Sequence, residues 1–119
     1  VAEPAANLVK RLLLTPTADG GLHGTNAYDG SEFLSSTDER FRPVFLTTGP
    51  DGALYVADMY RGIVEHGPYM TPYLKEQTLA RNLEQPIDKG RIWRIVPENW
   101  KKPAAGTLIS SWGWQKNPA

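Results

Sequence analysis

The chain of 119 residues balances 13 Lys and Arg against 13 Asp and Glu, so no net field of either sign draws it to nucleic acid or to a membrane surface. It has no cysteine, which excludes disulfides, a thiol nucleophile, cysteine-ligated zinc and CxxCH haem attachment within these residues. No apolar run approaches the ~20 residues that cross a bilayer, and ten prolines with eleven glycines favour a loop-rich β chain with one modest core over a helix bundle.

The opening VAEP reads as the end of a strand. With Val at residue 1, it leads us to expect a processed chain or part of a longer polypeptide. NLVKRLLL, Asn7 to Leu14, reads as a further strand. Thr15 to Arg42, containing TPTADGGLHGTNAYDGSEF, is dense in Gly, Asp, Thr and Asn and reads as a long surface loop. VFLTT (Val44 to Thr48), GPDG (Gly49 to Gly52) and ALYVAD (Ala53 to Asp58) predict strand, tight turn and alternating strand, that is, a β-hairpin. A second insertion, Met59 to Lys89, includes TPYLKEQTLARNLEQP. Thr71 is placed to cap a short helix there and Pro72 to start it; Leu74, Thr78, Leu79 and Leu83 give partial helical spacing, and Pro86 stops it. GRIWRIV, Gly90 to Val96, alternates as a third strand. The tail, residues 98–119, carries Trp100, Trp112 and Trp114, aromatics that need a surface to cover.

Aligned at one constant offset, VAEPAANLV (Val1 to Val9) and VADMYRGIV (Val56 to Val64) pair Val1 with Val56, Ala2 with Ala57, Glu3 with Asp58, Leu8 with Ile63 and Val9 with Val64. Both copies put an acidic residue at a strand end before a loop. A tandem unit of strand, turn, strand, connection and strand cannot bury both faces alone and stacks on neighbours, as propeller blades do. The expected fold is all-β: a partial β-propeller over residues 1–97, about one and a half blades, with long insertions at 15–42 and 59–89, one short helix, and a tail.

EPAANLVKR, GSEFLSSTDERFRPV, GPDGALYVADMYRGIVEH, MTPYL and GRIWRIVP together resemble the C-terminal propeller part of bacterial membrane-associated dehydrogenase-like proteins. These are similar to the glucose/sorbosone dehydrogenases and often carry a CxxCH haem domain further along. The resemblance spans roughly Val1 to Pro97, and its most specific run is Phe41 to His66. It implies a six-bladed quinoprotein-like propeller in an exported, periplasmic protein that can be membrane-associated. There pyrroloquinoline quinone and calcium sit at one face and accept electrons from a sugar or alcohol. This chain lacks most blades and all haem-binding cysteines, so activity is not expected of it alone.

In that setting the loop after the hairpin's second strand lies beside a central site. Arg61 could hold a quinone carboxylate through paired N–H groups, with Tyr60 beside it, and Asp58 could orient Arg61 or take a proton. His66 could serve as a base. The plainer alternatives are that Asp58 and Arg61 form a loop-anchoring ion pair or bind backbone groups, and that His66 is a surface residue. Asp19, Asp29, Glu32, Asp38 and Glu39 crowd one loop but lack EF-hand spacing, so solvation is favoured over calcium and no metal ligand is assigned. Arg81, Lys89, Arg91 and Arg94 around Trp93 are diluted by Glu84 and Asp88, and read as a polar strand edge, not a nucleic-acid platform. The expected function is to form blades of an exported sugar or alcohol dehydrogenase, alongside the remaining blades or a larger assembly. The competing expectation is a non-catalytic accessory or interaction subunit of a larger electron-transfer complex.

Overall fold

The structure, a computed structural model, describes residues 1–65 and 67–101; His66, Trp112 and Trp114 lie outside the described residues. The chain runs through β1 (Ala2–Glu3), β2 (Leu8–Val9), β3 (Leu12–Pro16), β4 (Leu22–Asn26), β5 (Leu34–Ser35), β6 (Pro43–Thr48), β7 (Leu54–Asp58), a 3-10 turn (Gly67–Tyr69), α1 (Pro72–Ala80) and β8 (Arg91–Ile95). The architecture is all-β with one short helix: three small antiparallel sheets, ordered β1-β2-β5, β3-β4 and β6-β7-β8.

The sheet β6-β7-β8 is built around the GPDG turn. Gly52 takes a positive φ of 76°, open to glycine without steric cost. Gly49 N–H donates to the Ala53 carbonyl at 2.9 Å, while the Asp51 carboxylate accepts from Ala53 N–H at 3.1 Å, the Tyr55 hydroxyl at 3.2 Å and Arg94 Nε at 2.8 Å. The register sets Val56 opposite Leu46 and Trp93, and Ala57 opposite Phe45 and Ile92. Because strand side chains alternate, Leu54, Val56 and Asp58 share one side of the sheet and Tyr55 and Ala57 the other.

The Val56 side is covered. β1 lies against β6, and Val1, Val9 and Phe33 line a 270 Å³ cleft together with Leu46 and Leu54. Val56 is completely buried, and Val9, Phe41, Pro43, Ala53 and Leu83 are the other buried apolar side chains among the described residues. The Ala57 side is open: Phe45, Thr47, Tyr55, Ala57 and Ile92 line a shallow 410 Å³ groove.

Three expectations are corrected. Asn7 to Leu14 is not one strand but breaks at Lys10 and Arg11 into β2 and β3, and the segment read as loop from Thr15 supplies the rest of β3 with β4 and β5. Leu12 pairs with Asn26 and Leu14 with Gly24, and Val9 with Leu34. The glycines and polar residues that suggested a loop are tolerated because this hairpin is exposed at every position, so no core selects its side chains. The helix follows the predicted start, Thr71 accepting from Leu74 N–H at 3.2 Å, but it ends at Ala80, short of Pro86. Asn82 turns left-handed at φ 50°, which returns Leu83 to the core and leaves Leu79 exposed. No helix among the described residues is long and apolar enough to cross a membrane.

Candidate functional site

Asp58 ends β7 and is 3% exposed. A carboxylate buried to that degree needs donors, and it has three: Arg42 N–H at 2.8 Å and Tyr60 N–H at 2.8 Å on one oxygen, and the Trp93 indole N–H at 2.9 Å on the other. Met59 N–H returns to the Arg42 carbonyl at 2.9 Å. The strand end is thereby pinned to β6 and β8 at once.

Tyr60 sits at φ 50°, a conformation that costs an L residue about 1–2 kcal/mol and that the Asp58 bond helps to hold. Its hydroxyl donates to Asp38 at 2.8 Å, and the Arg91 guanidinium lies 3.6 Å from its ring centroid. The Asp38 carboxyl is held below its ordinary range, first by the Arg40 N–H and then by the Tyr60 hydroxyl. The same bond to Asp38 raises the Tyr60 phenol above its ordinary value.

Arg42 closes the loop from the other side. Its guanidinium donates to the carbonyls of Arg61 at 2.9 Å, Gly62 at 2.8 Å and Pro4 at 2.7 Å. At Gly62 the backbone comes so near Leu83 that an added Cβ would lie 2.6 Å from the Leu83 carbonyl oxygen.

Arg61 is what this frame presents. Its own carbonyl is fixed by Arg42, its side chain is half-buried, and it lines a 360 Å³ cleft with Met59, Ile63, Val64, Asp88 and Gly90. Among the described residues its guanidinium has no hydrogen-bond or ion-pair partner. A cation carried on a fixed backbone, with Met59, Ile63 and Val64 on one hand and the Asp88 carboxyl on the other, can meet an anionic group on a partly apolar molecule.

Of the residues expected to act together, Asp58, Tyr60 and Arg61 do share one strand end, but in different states. Asp58 bonds two backbone N–H groups and an indole, not Arg61, as the plainer alternative anticipated for backbone groups. Tyr60 is engaged by Asp38, Asp58 and Arg91. Arg61 alone is open, and His66 falls outside the described residues. Of the five crowded carboxylates, four have separate partners: Asp38 as above, Asp19 accepting from Thr17 and from Gly21 N–H, Glu32 paired with Lys10 at 3.1 Å and Glu39 with Arg81. No group of three or more His, Asp or Glu converges on a metal position among the described residues.

Sequence reading missed Arg42 and took Asp38 only as one of several crowded loop carboxylates. The acceptors of Arg42 are carbonyls far along the chain and the Tyr60 hydroxyl reaches Asp38 across 22 residues, so no local pattern marks these roles. Trp93 was legible as an alternating strand residue, but not as the donor to Asp58.

A family model described as a domain of unknown function, DUF7133, matches residues 1–99. No curated protein and no solved structure matches the chain.

Proposed function

We propose, for a chain that belongs to the DUF7133 family, that it forms blades of an exported quinoprotein-like sugar or alcohol dehydrogenase and contributes Arg61 to the cofactor face. The observation that carries this reading is the Arg61 guanidinium, unpartnered among the described residues, which lines a cleft at a strand end. Two antiparallel sheets packed through Val9, Leu46 and Leu54 support the blade part of the reading. Pyrroloquinoline quinone would supply a two-electron acceptor when bound. Arg61 fits one of its carboxylates, while Met59, Ile63 and Val64 fit the flat apolar body. Asp58 and Tyr60 act as positioning residues, fixing the backbone that carries Arg61. No three or more His, Asp or Glu converge among the described residues, so no calcium ligand is assigned.

The test is a titration of the purified chain with pyrroloquinoline quinone, followed by absorbance and calorimetry. Saturable binding that Arg61→Leu weakens about tenfold or more, the scale of a lost charge-assisted contact, supports the reading. Binding indifferent to that substitution, or none, overturns the role of Arg61. The second reading is a non-catalytic interaction subunit, which the open apolar groove over Phe45, Tyr55 and Ile92 favours. It predicts assembly without quinone binding.

A further inference from the structure

β8 ends at Ile95, and the chain then folds back onto its own sheet. Trp100 N–H donates to the Pro97 carbonyl at 2.9 Å, closing a turn, and the Trp100 ring centroid lies 4.3 Å from the Arg94 guanidinium carbon. Arg94 stands opposite Tyr55, as Ile92 stands opposite Ala57. Strand alternation therefore puts Arg94 on the same side as the groove of Phe45, Thr47, Tyr55, Ala57 and Ile92. Trp100, half-buried, brings the chain onto that side at its β8 edge.

The groove itself is uncovered among the described residues: Phe45 is 61% and Ile92 72% exposed. Arg94, beside it, is bound to Asp51 at 2.8 Å, so its charge is met and what the groove offers is apolar and aromatic surface. The chain that continues from Trp100 has the matching chemistry. Residues 103–115 carry no charged side chain and include Leu108, Ile109, Trp112 and Trp114. Two positions apart, Trp112 and Trp114 share one side of an extended segment, and aromatic contacts with Phe45 and Tyr55 add to the area they bury. Reach is ample. The groove lies about 7 Å along β8 from Arg94 to Ile92 and about 10 Å across the strands to Phe45, whereas the eleven residues between Trp100 and Trp112 can span about 35 Å.

We infer that the segment following Trp100 closes back on its own sheet and seats Trp112 and Trp114 in the Phe45–Ile92 groove, as an internal strap. The inference rests on the Trp100 anchor, on the uncharged groove and on the uncharged tryptophan-bearing segment beside it, and is independent of Arg61 and of any quinone. A partner protein that used the groove would have to displace the strap.

Because the chain has no cysteine, a single nitroxide can be attached at Thr48→Cys, exposed at the groove's rim. In the full 119-residue chain the tryptophan indole N–H resonances are followed by nuclear magnetic resonance, with Trp112→Phe and Trp114→Phe assigning the two of interest. The expected result is loss of the Trp112 and Trp114 signals, reversed when the nitroxide is reduced and largely reversed by adding Phe45→Lys; Ile92→Lys repeats the test should that variant lose its far-ultraviolet circular dichroism. Signals that the label leaves unchanged overturn the inference, as does a loss that neither lysine substitution relieves. So does equal loss in a mixture of label-free, isotope-enriched chain with labelled, unenriched chain, which would put a second copy's tail in the groove.

Discussion

Asp58 shows how one side chain can fix a strand end. Both oxygens accept, and all three donors come from different parts of the chain: Arg42, Tyr60 and Trp93. Asp58→Asn keeps the shape but can place an amide donor against the Trp93 indole N–H or against two backbone N–H groups. A loss of about 2–3 kcal/mol is expected, in the range for hydrogen bonds to a charged group, and denaturant unfolding followed by tryptophan fluorescence measures it. Asp38 gives a pH signature. Its folded pKa lies below the ordinary 3.8, so the stability it contributes is present above that value and is lost as pH falls through the folded pKa. Tyr60 runs the other way: raised above 10.0, its contribution is present below that value and disappears as pH rises through the folded pKa. Tyr60→Phe should move the Asp38 titration upward only part of the way, because the Arg40 N–H is the larger cause. Carboxyl carbon resonances followed against pH distinguish that outcome from a full return to 3.8.

At the scale of elements, the hairpin β6–β7 and the helix start were legible because their signals are local. A Pro-Asp-Gly turn between alternating runs and a Thr-Pro cap each act within a few residues. The helix end was not legible, because it depends on Arg40 reaching across to the carbonyls of Asn82 at 3.1 Å and Gln85 at 2.9 Å. The same helix contains Thr78, 1% exposed, whose hydroxyl has no hydrogen-bond partner among the described residues. An unsatisfied buried hydroxyl costs about 1–3 kcal/mol, so Thr78→Val, nearly the same in shape, is expected to raise the thermal midpoint. A lowered midpoint would mean that the hydroxyl is satisfied in solution. At the loop that faces the helix's exit, Gly62→Ala forces a Cβ against the Leu83 backbone, and overpacking of this kind costs about 1–3 kcal/mol. Calorimetry of the two variants side by side should give shifts of opposite sign.

For the whole molecule, the sheets are coupled less by a broad core than by a few long polar side chains, and Arg42 is the chief of these. Its guanidinium joins Pro4, just after β1, to Arg61 and Gly62, just after β7. The two ends it joins are the two copies of the acidic strand end, Glu3 and Asp58, that the repeat brings into correspondence. The structure departs from that correspondence beyond the acidic residue, since Leu8 and Val9 form β2 against β1 whereas Ile63 and Val64 lie in no strand, and the tie through Arg42 was not legible because carbonyl acceptors carry no side-chain identity. The planar guanidinium serves three separated carbonyls from one fixed fork, which a lysine ammonium on a flexible stem cannot reproduce. Arg42→Lys is thus expected to loosen both ends together. Hydrogen exchange at Glu3 to Asn7 and at Arg61 to Ile63 should accelerate in parallel, while Tyr55 and Val56, in the middle of the central strand, keep their protection. Acceleration at only one end would mean that the sheets are held together by their apolar contact through Val9, Leu46 and Leu54, and that Arg42 merely trims a loop.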